Sequence, residues 1–226
     1  MLTHMHREIS NLKKSLLELC SFIEQSVDFA AKTLTDYDTD LAKEIIKRDI
    51  KVNEMEVEIE EECLKILALY QPVAADLRLV VAILKINNEL ERMGDLCRNI
   101  GKYVRKIVKN GAIPLPKEFV PMFEKVKYMT QQSLNALMDN DAGLAAEVCL
   151  MDNEVDKYNS DIISQIQDEL MKDGANVKSL LFLMSVCRTV ERIGDYATNI
   201  AEDVYYMISG FIVRHHHEDI DPDLVV

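Results

Sequence analysis

The feature that most constrains the fold of this 226-residue chain is an internal duplication. Residues 91–95 read Glu-Arg-Met-Gly-Asp and residues 191–195 read Glu-Arg-Ile-Gly-Asp, at an offset of 100. Upstream, Leu-Thr-Asp-Tyr-Asp at 34–38 matches Leu-Met-Asp-Asn-Asp at 137–141, at an offset of 103. A connector that differs by three residues accounts for the change of offset. We therefore expect two copies of one structural unit.

Both copies have the composition of helices with little loop between them. Hydrophobic residues make up 48 % of the chain, enough to form a core, whereas glycine occurs 7 times and proline 5 times. This balance favours an all-α protein. Turn-forming residues divide the chain into six long segments. The predicted helices span residues 8–34, 39–70, 76–109, 117–138, 142–172 and 177–209.

The third helix of each copy indicates how the helices pack. Its apolar residues alternate by steps of three and four, which is the pattern of a helix within a bundle. They are residues 79, 83, 86, 90, 93, 97, 100, 104 and 107 in the first copy, and 183, 186, 190, 193, 197, 200, 204 and 207 in the second. Burying such a row takes three helices. We predict two tandem three-helix bundles, at 1–112 and 113–212, followed by an acidic tail at 213–226.

The charge of the chain indicates which classes of partner it can bind, and its apolar runs and cysteines indicate its location. The net charge is −13 and the sequence pI about 4.8, so the surface repels nucleic acid and anionic lipid and attracts cations or basic partners. Simple solubility would explain the same acidity. No apolar run approaches the ~18 residues of a membrane span, and the N-terminus does not resemble a signal peptide. The five widely spaced cysteines lack a CxxC motif and fit reduced, buried thiols. We expect a cytoplasmic protein.

Each duplicated string carries an acidic pair four residues apart, Glu91 with Asp95 and Glu191 with Asp195. Residues at this spacing share one helical face and lie about one turn (~6 Å) apart. Both pairs fall opposite the apolar row, so we expect them to face outward. Each string also keeps a glycine in mid-helix, which costs about 1 kcal/mol relative to alanine. The glycines suggest that another group approaches the backbone closely there.

The second helix of each copy offers a matching pair, Asp49 with Asn53 and Asp152 with Asp156, also predicted to lie off the core. Counting from the intervening turn places these pairs level with the acidic pairs of the third helices. Carboxylates at one level repel unless a proton or a cation neutralises them. Oxygen-only donors suit hard ions such as iron, manganese, magnesium or calcium. The predicted metal ligands are Asp152, Asp156, Glu191 and Asp195 in the second copy, and Asp49, Glu91 and Asp95 in the first.

Other interpretations of the same residues stay open at this point. Paired acids on a solvated helix face are common, so a purely structural helical interaction module is one alternative. A metal-dependent hydrolase or oxidoreductase that uses the carboxylates is another. The sequence offers no nucleophile–base pair, no glycine-rich phosphate loop and no basic stripe, so we predict a protein that is not an enzyme. The histidines at 215–217 are expected to belong to a mobile tail.

Three stretches together indicate a family. They are the duplicated Glu-Arg-x-Gly-Asp string, the Asp-Leu-Arg-Leu at 76–79 that follows Gln71-Pro72, and the Asn-Glu-Met-Glu at 53–56. In this combination they closely resemble the PhoU family of phosphate-specific transport system accessory proteins. The resemblance covers nearly the whole chain, from about residue 7 to 214.

The resemblance implies a cytoplasmic negative regulator of phosphate uptake and of phosphate-starvation signalling. Proteins of this kind act as adaptors between the ABC phosphate transporter, through its ATPase subunit, and a membrane sensor histidine kinase, and many are homodimers. Some carry multinuclear metal clusters on paired acidic motifs, which here correspond to the seven predicted ligands. Asn53 departs from the fully acidic pattern. We therefore expect iron, manganese, zinc or magnesium ions in multinuclear sites, with the first copy the less complete.

Overall fold

The structure is a computed structural model that describes residues 2–172 and 176–210. Within these residues the chain forms six helices and no strand, which confirms the all-α prediction. The helices are α1 (Leu2–Thr35), α2 (Thr39–Tyr70), α3 (Ala74–Asn110), α4 (Phe119–Asp139), α5 (Ala142–Lys172) and α6 (Val177–Ser209). The predicted tail at 213–226 and its three histidines lie outside the described residues.

Polar caps explain why the second helix of each copy begins where it does. The Asp38 side chain accepts hydrogen bonds from the backbone N–H groups of Asp40 and Leu41, both at 2.9 Å. Its counterpart in the second copy, Asp141, accepts from the backbone N–H of Leu144 at 2.9 Å. Such caps satisfy amides that the start of a helix leaves without a helical partner. The duplicated Asp therefore starts α2 and α5 in the same register.

The apolar rows of α3 and α6 form the centre of the core. In α6 all eight residues of the predicted row are buried, and in α3 eight of the nine are buried, with Leu79 half-buried at the helix start. Helices α1 and α2 pack on α3, while α4 and α5 pack on α6. Each copy is thus a three-helix unit, as the spacing predicted. The boundary predicted at residue 112 falls in the connection between α3 and α4.

The two units meet mainly through α3 and α6, which run antiparallel. The Lys85 ammonium, towards the start of α3, lies 2.8 Å from the carboxylate of Asp203, towards the end of α6. Towards the other end, the rings of Tyr103 and Phe182 stack with centroids 6.3 Å apart. In the register that these two contacts define, residues 91–95 of α3 lie beside residues 191–195 of α6, in the middle of the helix pair. None of the described helices is long and apolar enough to cross a membrane.

Candidate functional site

The α5–α6 hairpin brings four carboxylates of the second copy together. Burial, followed by the neighbouring charges of Asp195, Asp156 and Asp152, raises the pKa of Glu191 from its ordinary value of 4.5 to about 7. The pKa of Asp195 is also raised, first by burial and then by Asp156. Like charges in a poorly solvated place disfavour ionisation in this way. We call these four residues the second cluster; their role as metal ligands stays a prediction.

The glycines of the duplicated strings allow the second helix of each copy to approach the third. A Cβ atom at Gly94 would lie 3.0 Å from Cγ1 of Val52. A Cβ atom at Gly194 would lie 3.4 Å from Cγ1 of Val155 and 3.6 Å from Oδ1 of Asp152. The expected close approach is therefore made by the neighbouring helix. In the second copy it brings a carboxylate of α5 close to the α6 backbone.

The corresponding residues of the first copy are arranged around a basic side chain that the sequence analysis missed. The Arg98 Nη1 atom lies 2.5 Å from Oδ2 of Asp49 and 2.7 Å from Oδ1 of Asp95. Charge-assisted hydrogen bonds of this kind stabilise both ionised partners. We call Asp49, Glu91 and Asp95 the first cluster. The positively charged guanidinium group of Arg98 therefore already lies between two of its carboxylates.

The arginine also explains a correction to the predicted exposure. The sequence placed Asp49 off the core, but only 7 % of Asp49 is exposed, whereas its neighbour Asn53 is exposed. A carboxylate is buried at low cost only when it is paired, and Arg98 supplies that pairing. Of the other predicted ligands, Asp156 is exposed, and the rest are half-buried in the grooves between helices rather than fully outward-facing.

The electrostatics of the first cluster follow from this arrangement. The pKa of Asp95 is raised by burial, although Arg98 acts to lower it and Asp49 acts to raise it. The pKa of Glu91 is raised by burial and then by Asp95, Glu56 and Asp49. Glu56 is a second contributor that pattern reasoning did not identify. The first cluster is therefore acidic but partly neutralised from within.

The residue that replaces the arginine in the second copy carries no charge. Thr198 stands at the position that corresponds to Arg98, and its hydroxyl donates to the backbone oxygen of Gly194 at 3.2 Å. Arg192 lowers the pKa values of Glu191 and Asp195, but burial and the other carboxylates outweigh it. The aligned sequences contained this difference, since 96–98 read Leu-Cys-Arg and 196–198 read Tyr-Ala-Thr.

The donor atoms test whether each cluster fits a metal ion. Across residues 2–172 and 176–210, no group of three or more His, Cys, Asp or Glu side chains is already arranged to hold a metal. The second cluster has the oxygen-only donors that hard cations require, so it fits one by its chemistry, with side chains that have yet to converge. The first cluster does not fit a metal while Arg98 lies between its carboxylates. The five cysteines are buried, and burial raises the pKa of each thiol to about 12, so none is a poised thiolate ligand.

Comparison with known proteins identifies the family. The model of the PhoU domain matches the chain twice, at residues 16–104 and 119–204. The chain belongs to the PhoU family. The two matches correspond to the two copies of the duplicated unit, so the repeat read from the sequence is the repeat of the PhoU domain. PhoU proteins are accessory regulatory proteins rather than a known family of enzymes.

Relatives extend over most of the chain. The phosphate-specific transport system accessory protein PhoU of Serratia marcescens is 34 % identical over 92 % of this chain and 86 % of its own length. A PhoU homologue of the same description from Aquifex aeolicus is 35 % identical, over 94 % of this chain and 96 % of its own. The crystal structure of PhoU from Pseudomonas aeruginosa covers 91 % of this chain and 99 % of its own, with a TM-score of 0.86 at 33 % identity. The PhoU fold therefore includes both copies and their mutual packing.

Proposed function

We propose that this protein is a cytoplasmic negative regulator of phosphate uptake and of phosphate-starvation signalling. The observation that carries the proposal is the twofold match to the PhoU domain. The relative from Serratia marcescens is named an accessory protein of the phosphate-specific transport system, and a related structure from Streptococcus pneumoniae is described as a phosphate transport system regulatory protein. Both names support a role in controlling transport rather than in performing it.

The protein acts in this proposal as an adaptor. It binds the ATPase subunit of the ABC phosphate transporter and a membrane sensor histidine kinase, and so communicates phosphate sufficiency from one to the other. The net charge of −13 favours partners with basic surfaces and disfavours nucleic acid. The homodimer implied by the resemblance stays a prediction, which light scattering on the purified full chain would test.

The second cluster is the proposed place for metal. Asp152, Asp156, Glu191 and Asp195 would hold one or more iron, manganese, zinc or magnesium ions. A bound cation would neutralise these carboxylates and link α5 to α6, since each helix contributes two of the four. Burial, followed by repulsion from the other three carboxylates, raises the pKa of Glu191, and this supports the proposal because a bound cation relieves the repulsion. The proposal does not extend to the first cluster, where Arg98 already supplies the positive charge.

A binding experiment tests the adaptor role. The purified full chain is titrated against the purified ATPase subunit of the phosphate transporter of the same organism, with and without Mn²⁺ and with and without phosphate. We expect saturable binding whose affinity changes with at least one of the two additions. Absence of binding under all four conditions would contradict the proposal.

Elemental analysis tests the metal site separately. The wild-type chain, purified without chelator or affinity tag, is compared with a variant that carries Asp152→Asn, Asp156→Asn, Glu191→Gln and Asp195→Asn. We expect metal in the wild type and none in this variant, whereas the matched first-cluster variant E91Q/D95N keeps the wild-type content. The proposed metal site is wrong if the wild type contains no metal after loading with iron, manganese and zinc, or if the second-cluster variant retains its metal.

A further inference from the structure

Helix α2 exposes a row of aliphatic side chains to solvent. Ile50 is 64 % exposed, Val57 49 % and Leu64 52 %, and the three are spaced by seven residues. Residues at this spacing lie nearly above one another on a helix, here over about 21 Å of its length. Single exposed aliphatic residues need no explanation, whereas three on one side of one helix give that side an apolar character that a partner helix can bury. We call these three residues the outer row of α2.

The outer row is not an extension of the core. The core-facing side of α2 has its own row with the same spacing, made of Ile45, Val52, Ile59 and Ile66, all at most 2 % exposed. A step of two residues along a helix turns the side chain by about 200°, so Ile50 and Val52 point to nearly opposite sides. Helix α2 therefore has two apolar rows, and the bundle buries one of them.

The second copy shows that the fold does not require the outer row. At the offset of 103 residues, α5 carries Asn153, Ser160 and Gln167, all exposed, where α2 carries the three aliphatic residues. The register of this alignment is secured by structure, because Val52 and Val155 make equivalent contacts with the glycines of the two strings. The same position in the same fold is thus polar in one copy and apolar in the other. The outer row is a property of the first copy alone.

The charges beside the outer row indicate what kind of partner would cover it. Between residues 54 and 62 the helix carries six glutamates, at 54, 56, 58, 60, 61 and 62. Glu54 and Glu61 follow the outer-row residues by four positions and so flank the row directly. Lys51 and Lys65, the nearest basic residues of the segment, are paired with Glu54 at 3.4 Å and with Glu62 at 3.1 Å. This face of α2 therefore alternates aliphatic residues with glutamates from Ile50 to Leu64, and the exposed Lys47 lies three residues before it.

We propose that the outer row of α2 is a docking surface for an amphipathic helix of another protein that carries lysine or arginine beside its own apolar row. Packing of the two helices side by side would bury the outer row and set basic residues against Glu61 and, in exchange for Lys51, against Glu54. A second copy docked through the same row would oppose glutamates to glutamates, so charge disfavours it. The surface involves neither cluster of carboxylates, so its test is independent of the metal and of the transporter.

The test uses the full chain and two synthetic peptides, each about three heptads long. Both peptides have leucine at every seventh position and a second apolar residue between, and they differ only in having lysine or glutamate as the flanking residues. Binding is followed by fluorescence anisotropy of the labelled peptide. We expect the lysine peptide to bind, with weaker binding at high salt, and the glutamate peptide not to bind.

The decisive variant places the residues of the second copy on the first, I50N/V57S/L64Q. The fold accepts these residues at the equivalent positions of α5, so we expect native helicity and a loss of affinity for the lysine peptide of about tenfold or more. Leu69→Gln is the control, because Leu69 is 66 % exposed on the same helix but lies off the row. It should leave the affinity unchanged.

Several results would overturn the proposal. They are absence of binding by the wild type, equal binding of both peptides, or an affinity that the triple variant retains. A measurement of the oligomeric state by light scattering could also overturn the proposal. If the wild type is a dimer and I50N/V57S/L64Q is a monomer, the outer row is covered by a second copy of this chain and not by a basic helix of another protein.

Discussion

The two carboxylate clusters occupy equivalent positions of the duplicated unit, yet they balance their charge in different ways. In the first cluster Arg98 lies between Asp49 and Asp95, within 2.7 Å of both. In the second cluster the equivalent residue is Thr198, whose hydroxyl donates a hydrogen bond to the backbone oxygen of Gly194. Three of the four acidic positions are acidic in both copies, with Asn53 in place of Asp156, whereas the basic residue is present only in the first. Duplication thus preserved the packing of the fold and left the chemistry of each groove free to diverge.

The difference determines what each groove can accept. The first cluster holds an internal cation, and Asp49 is buried because that cation is present. The second cluster lacks such a side chain at the equivalent position, and burial together with the neighbouring carboxylates raises the pKa of Glu191 to about 7. It can be neutralised by a proton or by a cation from solution. If the proposed regulator responds to ions, we therefore expect its responsive groove in the second copy and a fixed one in the first.

Removing the internal cation gives the largest expected effect. Arg98→Thr places the residue of the second copy in the first and leaves Asp49 buried without its partner. Breaking one side of a buried ion pair costs about 3 kcal/mol or more, so we expect the free energy of unfolding at pH 7 to fall by about that amount. Urea denaturation monitored by circular dichroism measures it.

The control for this variant neutralises the stranded carboxylate. Adding Asp49→Asn to Arg98→Thr removes the buried charge, so the double variant should regain about 1–2 kcal/mol relative to Arg98→Thr alone. A single variant that is as stable as the wild type would mean that Asp49 is hydrated in solution. The contrast between the fixed and the responsive groove would then fail.

The glycines offer a second, smaller contrast. Alanine at Gly94 would place its Cβ 3.0 Å from Val52 and 3.3 Å from Ile23, too close without movement of the core, whereas alanine at Gly194 meets Val155 at an ordinary 3.4 Å. Overpacking costs about 1–3 kcal/mol, and alanine gains about 1 kcal/mol in helix propensity. We expect Gly94→Ala to destabilise by about 1 kcal/mol and Gly194→Ala to stabilise by up to about 1 kcal/mol, both measured by denaturant unfolding.

Equal effects of the two substitutions would contradict this contrast. A destabilising Gly194→Ala would show that the α5–α6 groove is tighter than the distances indicate. Metal-free protein should be used for both, because Oδ1 of Asp152 lies only 3.6 Å from the position of the added methyl group at residue 194.

Much of the fold was predictable because it follows from periodic patterns. The alternation of apolar residues in α3 and α6 identified the buried rows, and the duplicated Asp of the inter-helix turns fixed the start of α2 and α5. Helix ends were less certain, since α3 begins at Ala74, two residues before the predicted start. That places Asp76 in the first turn, where a negative charge favours the helix.

The candidate site was predictable only in part. The spacing of four residues brought the acids of α5 and α6 together, because both helices are regular and meet in one hairpin. The role of Arg98 could not be read in the same way, because the direction of a long side chain depends on the groove that it enters. Comparing the two copies position by position would have identified it, since Arg98 and Thr198 differ in charge within otherwise similar strings.

The smallest expected effect concerns protonation of the second cluster. The folded-state pKa of Glu191 is about 7, above its ordinary value of 4.5, so between these pH values the folded chain binds the proton more tightly than the unfolded chain. The stabilisation that this group contributes is complete below about pH 4.5 and is lost as the pH rises through 7. Glu191→Gln removes this dependence. In the presence of chelator the variant should be more stable than the wild type at pH 8, by about 1 kcal/mol once solvent screening of a half-buried group is allowed for.

The matched variant in the first copy, Glu91→Gln, decides whether the contrast between the clusters is real. The pKa of Glu91 is also raised by burial and by neighbouring carboxylates, but Arg98 neutralises two of those neighbours. We therefore expect a smaller gain at pH 8 from Glu91→Gln than from Glu191→Gln, and chemical denaturation at pH 5 and pH 8 compares the two. If both gains are equal, the arginine does not distinguish the clusters. If the larger gain belongs to Glu91→Gln, the responsive groove is in the first copy and the search for a bound cation should begin there.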